Sequence, residues 1–534
     1  MDSGGLATMV LLSLKMRSMK GINVEITNDM MSLGGLLEED SIKGSFCLSK
    51  RELALYRKPS PYKPSSYLVS RLRKYEAMHR KCGPNTKKYQ EAVKLLISNY
   101  SSNEHEEDCK YLIWIPPKGL GNKLVSLVST FLYALLTDRV LLLEQQISMK
   151  DLLCEPFENT TWLLPEDLPL RSEFGSLRHG SPFSYGNMLK TTNTNNQRPP
   201  FVYLHLAFDY DTHDMLFFCD EYQTPLRNVP WLVTRSDQYF APSLFLMPFF
   251  EEELGKLFPE KDTVFHHLGR YLLHPSNVVW GLVKRYYDSY LANAEERIGI
   301  QIRDFRTTPL GFTRMKKHIY NYYLPHFSHD ESSSREIKDL CNVTSLDLHM
   351  MDRIVSCFLE NKLLPKVVHN RNYDDTLSTR SKAVLVTSLT SSYYDKISDM
   401  YWDHATETGE GIGVYQPSHE GVQHSDMTSH NAKAWAEIYL LSLMDVVITS
   451  PVSSFGYVAQ GLGGKRAWMI NGPHREFVSD SEPSCFQVAS MEPCFHNPPY
   501  YDCKARGRAD TGSVAPYVQH CEDLKWGLKL VDAH

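Results

Sequence analysis

Several features that mark other protein classes are missing from this 534-residue chain. The apolar run near its start, Leu6 to Leu14, ends at Lys15, and nine residues are too few for a hydrocarbon layer that requires about 20. Basic residues follow that run instead of preceding it, which is a poor match to a signal peptide. We therefore expect residues 1–45 to form a tail with no clear membrane span.

No sign of charge dominates the chain. Lys and Arg total 57 against 63 Asp and Glu, which gives a formal net charge of −6. This balance argues against nucleic acid as a partner. No internal repeat is visible, so a solenoid or a propeller is not expected.

The 11 cysteines contain no paired CxxC clusters of the zinc-binding type. Four of them, Cys485, Cys494, Cys503 and Cys521, lie in the last fifty or so residues, where turn residues are frequent. A loop-rich segment gains stability from covalent closure, so disulfides formed in an oxidising lumen are one interpretation. Reduced, buried thiols are the other.

The first strong core pattern is a strand, a helix and a second strand. Tyr111 to Ile115 is a short apolar run that ends at two prolines, as expected of a buried strand. The segment from Leu124 to Leu135 repeats leucine, valine and phenylalanine on one helical face, and RVLLLE follows as a strand. Such a β-α-β unit predicts a parallel pair of strands.

A second unit of this kind lies near the end of the chain. Asn431 to Met444 reads as a helix, DVVITS as a strand, SSFGYVAQGL as a helix and RAWMI as another strand. IGIQIR (298–303) and AVLVTSL (383–389) add two buried-strand candidates. The alternation predicts an α/β protein with two doubly wound domains that face a cleft.

Two strand-to-helix passages could hold a phosphate. Gly121 and Asn122 lie in the first passage, but the segment lacks both GxGxxG and P-loop spacing, so a tight turn with Asn122 as helix cap explains it equally well. The second passage contains Ser453, Ser454, Phe455 and Gly456. Hydroxyls and unpaired N–H groups at a helix start suit a phosphate, although simple N-capping by either serine requires no ligand.

Three further positions are candidates for ligand contacts. Arg303 ends a predicted strand, where an arginine can bind a diphosphate or form an ordinary ion pair. Asp237 precedes an apolar run and could orient an acceptor hydroxyl or form a turn. Tyr415, in YQPSH, offers a ring that could hold a base, or a proline-containing turn. His266, His267 and His274 have no carboxylate at ligand spacing, so packing explains them better than a metal.

Taken together, these segments resemble the plant fucosyltransferases of glycosyltransferase family 37, the family of xyloglucan galactoside 2-alpha-L-fucosyltransferases. The stretches that carry the resemblance run in the family's order from about Cys47 to Asp532: GLGNKLVSLVSTFLYALLTDRVLLLE, SDQYFAPSLFL, HLGRYLLHPSNVVW, IGIQIRDF, GVYQPSHEG, ITSPVSSFGYVAQGLGG, MEPCFHNPPYYDCKA and HCEDLKWGLKLVD.

The resemblance implies a GT-B-like fold with two Rossmann-like domains, GDP-fucose as donor, inversion at the anomeric carbon and no metal cofactor. It implies an acceptor-side domain over residues 46–295, a GDP-fucose-binding domain over 296–480 and a Cys-rich segment over 481–534. Arg303 matches the family's diphosphate arginine, and Asp237 matches an acceptor-side aspartate. The family is anchored in the Golgi membrane by an N-terminal span that this sequence does not display.

Two other functions remain open at this level. The chain could be a different GDP-fucose enzyme, such as a protein O-fucosyltransferase, which also uses a glycine-rich loop and an arginine. It could instead be a catalytically silent glycan-binding subunit of a Golgi complex. The sequence does not specify which galactose-terminated glycan is the acceptor, whether the protein forms a homodimer, or how the cysteines pair.

Overall fold

The computed structural model describes residues 28–98, 109–117, 119–145, 149–191, 201–303, 346–368, 380–471, 483–499, 501–503, 507–508 and 510–532. Within these ranges the chain forms two parallel sheets, each flanked by helices. The predicted α/β class is therefore confirmed.

The first sheet contains four parallel strands in the order β2-β1-β4-β3. They are β1 (Lys110–Ile115), β2 (Arg139–Leu143), β3 (Phe201–His205) and β4 (Trp231–Arg235). All except the ends of β1 and β4 are fully buried, which explains why their sequences are continuous apolar runs and not alternating ones. The two strands predicted around Tyr111 and Val140 are both confirmed.

Thirteen helices belong to the described part of the chain that precedes the second sheet. They are α1 (Asn28–Met31), α2 (Glu39–Gly44), α3 (Leu48–Glu52), α4 (Ser66–Cys82), α5 (Lys87–Ser98), α6 (Leu120–Leu136), α7 (Met149–Leu152), α8 (Tyr185–Lys190), α9 (Gln223–Arg227), α10 (Ala241–Phe245), α11 (Pro248–Leu257), α12 (Val264–Leu272) and α13 (Asn277–Tyr286). Short 3₁₀ turns lie at Leu53–Leu55, Pro169–Glu173, Asp214–Phe218, Asp220–Tyr222 and Lys261–Thr263, and a π turn at Tyr287–Leu291 extends α13.

The second sheet has six strands in the order β12-β11-β10-β5-β7-β9, all parallel except β12. Its strands are β5 (Glu296–Gln301), β7 (Ser381–Thr387), β9 (Gly411–Tyr415), β10 (Val446–Thr449), β11 (Trp468–Ile470) and β12 (Cys485–Gln487). Strands β6 (Val367–Val368) and β8 (Ala405–Thr406) form a separate pair. Helices α14 (Leu346–Glu360), α15 (Ser392–Asp403), α16 (Thr428–Ser442) and α17 (Ser454–Gly463) accompany this sheet.

The chain reverses direction across the second sheet between β5 and β10. It runs outward from β5 to β7 and β9, then returns through α16 to β10 on the other side of β5. Ligands of open α/β sheets bind at such a reversal, beyond the carboxyl ends of the strands. This topology places any nucleotide site at the ends of β5 and β10.

Helices join the two halves of the molecule. Helix α17 packs on α6 and α12, and α16 packs on α13. A single apolar cluster contains residues of both halves, including Phe265 on α12 and Leu462 on α17. The two sheets are therefore held in a fixed relation by buried apolar contacts.

Residues 28–45 differ from the prediction of a tail. Leu33, Leu36, Leu37 and Ile42 are buried in the main apolar cluster. The segment shows no sustained hydrophobic period because it folds as two short helices joined by turns, with Gly34 and Gly35 at positive φ.

The C-terminal segment is distributed over both halves. It contributes β12 to the second sheet, and the pairs β13 (Tyr501–Asp502) with β14 (Gly507–Arg508) and β15 (Val518–His520) with β16 (Leu528–Leu530). A 3₁₀ turn lies at Thr511–Ser513. Phe495, Leu528 and Leu530 are buried in the main cluster with residues of the first half.

Disulfides involve all four of the cysteines singled out near the end of the chain. The five bridges are Cys47–Cys154, Cys82–Cys109, Cys219–Cys503, Cys357–Cys485 and Cys494–Cys521. Only the last closes within the C-terminal segment; the third and fourth tie that segment to the first and second halves. Because all four cysteines form bridges, the alternative of reduced thiols is wrong for them. In the described part of the chain, every helix is too short or too polar to span a bilayer.

Candidate donor-binding cleft

A cleft lies at the carboxyl ends of β5, β7, β9 and β10 and reaches the start of α6. It encloses about 820 Å³ of space, counting the part that opens to solvent. Its lining is Leu120, Gln301, Ile302, Arg303, Thr387, Ser388, Leu389, Ser418, Glu420, Gln423, His430, Asn431, Ala434, Glu437, Ser453 and Phe455. The sequence predicted one site that contains Arg303, Ser453 and Phe455, although about 150 residues separate the first from the other two. All three side chains line this cleft.

Arg303 occupies the position directly beyond β5. Its backbone N–H donates to Ser450 Oγ at 3.0 Å, which joins the end of β5 to the end of β10. Burial lowers the pKa of its guanidinium, and the nearby Tyr457 hydroxyl opposes that effect. A half-buried guanidinium lining a cleft at the sheet reversal is well placed for an anionic group.

The start of α17 offers a second anion-binding element. Ser453 is the N-cap residue, but its side chain makes no capping bond. Its hydroxyl is fully buried and has no hydrogen-bond partner among the described residues. The capping alternative is therefore wrong for Ser453, and a buried unpaired hydroxyl at a helix N-terminus favours a bound anion.

The loop before α17 is held in an unusual backbone conformation. Val452 has φ of 53°, a left-handed value that a β-branched residue rarely adopts. Its N–H donates to Asp523 Oδ2 at 2.7 Å, and the Tyr457 hydroxyl donates to the same oxygen. Strain of this kind persists only where surrounding contacts enforce it, and it concentrates at functional sites.

Glycines allow two close approaches beside the cleft. A Cβ on Gly121 would lie 2.9 Å from Ser454 Cβ and 3.1 Å from the Ser454 carbonyl carbon, so the starts of α6 and α17 touch at this point. A Cβ on Gly456 would lie 2.9 Å from Thr449 Cβ. Ser454, Gly121 and Gly456 therefore shape the cleft by packing, and none of the three lines it.

Asn122 does not cap α6. The N-cap position is Gly119, with φ of 82° and no side-chain capping bond, and Asn122 is the half-buried third residue of the helix. The alternative that Asn122 serves as helix cap is therefore wrong. The helix starts earlier than expected because glycine adopts the left-handed conformation that opens it.

Asp237 lies beyond β4, in the first half. Its Oδ1 accepts the Phe208 backbone N–H and Gln238 Nε2, each at 2.9 Å. Burial raises the pKa of its carboxyl, and these two hydrogen bonds oppose that effect. Strand β4 adjoins β1 at the reversal of the first sheet, so Asp237 occupies the place in the first half that Arg303 occupies in the second.

The C-terminal segment bridges these two positions. His496 Nε2 lies 3.2 Å from the Tyr457 hydroxyl, next to Arg303. Asn497 Nδ2 donates to the Phe208 carbonyl at 2.8 Å, next to Asp237. Two consecutive residues thus connect the surroundings of the guanidinium with those of the carboxylate.

Comparison with known proteins identifies the family. Residues 23–322 and 313–504 match the model of the xyloglucan fucosyltransferase family. The chain belongs to that family. It is 51% identical over 512 residues to the galactoside 2-alpha-L-fucosyltransferase of Pisum sativum, covering 96% of this chain and 83% of that protein. It is 48% identical over 522 residues to the protein of the same name from Arabidopsis thaliana, covering 95% and 84%.

A solved structure agrees with this assignment. A mutant of Arabidopsis thaliana FUT1 in complex with GDP superposes with a TM-score of 0.78 at 48% identity, and covers 94% of this chain and 100% of that one. The GT-B-like arrangement of two parallel α/β units is thereby confirmed for this fucosyltransferase.

Tyr415, like Asn122, is a further predicted donor residue that does not line the cleft. It ends β9, and its ring packs against Tyr290 with centroids 5.2 Å apart. It is not among the side chains that line the cleft. The YQPSH motif lies at the right strand end, but the following residues, Ser418 and Glu420, provide the lining instead.

Sequence reasoning missed the polar face that α16 presents to the cleft. His430, Asn431, Ala434 and Glu437 line it, at i, i+1, i+4 and i+7 along the helix. That spacing is one helical face, and it was detectable as polar side chains where a buried helix should be apolar.

No metal site is indicated by side-chain geometry in the described ranges. The one group with suitable spacing there is Cys494, Cys521 and Asp523, and its two cysteines form a disulfide. His266 is enclosed by Ser60, Arg270 and the Gly461 carbonyl, each within 3.0 Å, which agrees with the packing interpretation.

Proposed function

We propose that this fucosyltransferase transfers L-fucose from GDP-fucose to the 2-hydroxyl of a terminal galactose in a cell-wall glycan, with inversion at the anomeric carbon. The observation that carries the proposal is that Arg303 and Ser453 line one cleft at the sheet reversal, where the Ser453 hydroxyl has no hydrogen-bond partner among the residues that the structure describes. The names of its close relatives support both the donor sugar and the galactoside acceptor.

In this proposal the donor diphosphate lies between Arg303 and the start of α17. Negative charge grows on the diphosphate as the bond from the anomeric carbon to the leaving oxygen breaks. A fixed guanidinium stabilises that charge more in the transition state than in the ground state. The helix N-terminus and the Ser453 hydroxyl add to this stabilisation.

The acceptor galactose binds over the first half, and its 2-hydroxyl attacks the anomeric carbon from the face opposite the departing GDP. Asp237 orients that hydroxyl and accepts its proton, directly or through a water molecule. Its raised pKa suits a base, because a carboxylate that is poorly solvated holds a proton more strongly. We expect no metal cofactor for this chemistry, since Arg303 supplies the compensating charge.

We further propose that the protein works in the lumen of the secretory pathway, in the Golgi. Five disulfides support this, because they form in oxidising compartments. The sequence also contains Asn-X-Ser/Thr glycosylation sequons at Asn99, Asn159 and Asn342. Asn159 is exposed, which fits the same route, and the other two lie outside the described residues.

The decisive experiment measures GDP release and product linkage with GDP-fucose and a panel of acceptors. We expect 2-linked fucose on galactosylated xyloglucan or arabinogalactan oligosaccharides and none on folded peptides. Fucosylation of peptides alone would favour a protein O-fucosyltransferase, and GDP binding without turnover would favour a silent glycan-binding subunit.

Substitution of the arginine tests the mechanism. Arg303→Ala should lower turnover by roughly 10²-fold or more. Arg80→Ala, at an exposed position on α4, is the matched control and should leave turnover unchanged. Near-normal turnover in Arg303→Ala would show that the diphosphate is bound elsewhere.

A further inference from the structure

A buried lysine at the start of α6 lacks the partner that its charge requires. The Lys123 side chain is 0% exposed, and its Nζ has no hydrogen-bond partner among the described residues. An ammonium group taken out of water is costly in free energy unless an acceptor or an anion faces it. No step of the proposed reaction uses this ammonium.

The charged group that acts on Lys123 is the carboxylate of Asp426. Burial lowers the pKa of the Lys123 ammonium, and the charge of Asp426 opposes that effect. Asp426 is exposed, and no hydrogen bond joins it to Lys123 in the described part of the chain. The two opposite charges therefore lie near each other without being paired.

Asp426 belongs to the loop of residues 421–427, which precedes α16. The loop begins at Gly421, which has φ of 74° and donates its N–H to the Leu389 carbonyl at 2.7 Å. Gln423 lines the cleft, and its Nε2 would lie 3.9 Å from a Cβ on Gly119, at the start of α6. The 421–427 loop thus extends across the mouth of the cleft toward the helix that carries Lys123.

The 421–427 loop has little apolar anchorage of its own. Its two large apolar side chains, Val422 and Met427, are 53% and 52% exposed. Segments with few buried apolar contacts open and close at low cost in free energy, and loops that cover binding sites are of this kind. A glycine at the start of such a loop can absorb the change in backbone angles that closure requires.

We propose that Lys123 is a positioning residue that latches the 421–427 loop over the occupied cleft by forming an ion pair with Asp426. This inference rests on the proposed use of GDP-fucose as donor. Closure carries the Asp426 carboxylate from solvent to the buried ammonium, so the unmet charge of Lys123 favours the closed loop. The closed loop excludes water from the donor, which limits hydrolysis before the acceptor attacks.

The first test replaces the ammonium by an uncharged group of similar length. Lys123→Met should raise the melting temperature of the ligand-free protein, because it removes a buried charge without a partner. The same variant should lower kcat/KM for GDP-fucose about tenfold, since the latch is lost. A lysine that served the fold alone would show the opposite change in stability.

A double-mutant cycle tests the pairing itself. Asp426→Asn should lower kcat/KM about tenfold without changing the melting temperature, because the carboxylate is exposed in the free protein. The double variant Lys123→Met/Asp426→Asn should fall no further than either single variant. Asp399→Asn, at an exposed position on α15, is the matched control and should leave kcat/KM unchanged.

Closure is measured directly by amide hydrogen exchange on the full chain with and without GDP. GDP should slow exchange in residues 421–427 of the wild-type protein, and the effect should be lost in both single variants. Release of free fucose from GDP-fucose without acceptor should rise relative to transfer in the same variants. Asp426→Asn provides both measurements if Lys123→Met does not fold.

Two outcomes would overturn the latch while leaving GDP-fucose as donor. One is a double variant whose loss of kcat/KM is the product of the two single losses, because the residues would then act independently. The other is wild-type protein that binds GDP but shows unchanged exchange in residues 421–427. Wild-type protein that does not bind GDP would instead overturn the proposed function.

Discussion

The contact between the starts of α6 and α17 gives the sharpest structural prediction. Gly121→Ala places a methyl group 2.9 Å from Ser454 Cβ. Carbon atoms prefer a separation of about 3.5–4.0 Å, so the two helices must move apart by about 0.6–1 Å. Overpacking of this kind costs about 1–3 kcal/mol in the free energy of unfolding.

The same displacement should reduce activity, because α17 begins at the proposed diphosphate site. A misplacement of about 1 Å in a positioned group can cost about 10²-fold in rate. We expect kcat/KM for GDP-fucose to fall about 10- to 100-fold, measured by GDP release under saturating acceptor. The free energy of unfolding is measured by urea denaturation without reductant.

Gly255→Ala is the matched control, since Gly255 also lies within a helix but has open space around the added methyl. It should stabilise the protein by about 0.5–1 kcal/mol through helix propensity and leave kcat/KM unchanged. The double variant Gly121→Ala/Ser454→Gly should recover part of the lost stability, because only the contact with the backbone carbon remains. If Gly121→Ala behaves like Gly255→Ala, the two helices do not touch and the argument is refuted.

Three further predictions use other parts of the molecule. Ser453→Ala should weaken GDP binding about 10-fold or more, as expected for a lost hydrogen bond to a charged group. It should leave thermal stability unchanged, because the hydroxyl has no hydrogen-bond partner within the described part of the chain. Calorimetry and a melting curve measure the two effects. Replacing Cys219 and Cys503, which are 284 residues apart, by alanine should lower the free energy of unfolding by about 2–5 kcal/mol, and an unchanged melting temperature would contradict the bridge. Glu437 lines the cleft, and burial raises the pKa of its carboxyl to about 8, so it is protonated at pH 7 in the free protein. If GDP binds the carboxylate form, binding should release a proton at pH 7 and none above pH 9. The affinity for GDP should then rise with pH up to about pH 8.

The proton release is measured by calorimetry in buffers of different ionisation enthalpy, and Glu437→Gln should abolish it. The other titratable groups that face Glu437 are Glu420, Lys433 and Tyr286. The pKa of the Glu420 carboxyl is held at about 2, and burial raises the pKa of the Tyr286 hydroxyl above its ordinary value, so both groups keep their protonation state between pH 6 and 9. A proton release that persists in the variant would assign the effect to another group, His430 being the nearest on the same helix.

Local patterns were sufficient for the elements of the two sheets. The apolar runs around Ile113, Val140, Ile300, Val384 and Ile448 were predicted as strands, and each is a buried strand of a parallel sheet. Such runs are unambiguous because both faces of a parallel strand are covered and polar residues would be costly on either face. The positions of Arg303 and Ser453 at strand ends followed from the same patterns.

Only the tertiary structure decided which side chains act together. It placed Glu437 beside Ser418 and Tyr415 against Tyr290, and it joined Cys219 to Cys503. These contacts join segments that a pattern within one element does not connect. It also buried apolar side chains of residues 28–45, which form short helices and turns without a hydrophobic period. Periodicity reports which face of one element is buried, whereas the partner of that face is fixed by how the elements pack. The sequence thus determined the fold class and the strand ends that could hold a nucleotide, and the packing of α6, α16 and α17 around those ends determined the shape and polarity of the cleft.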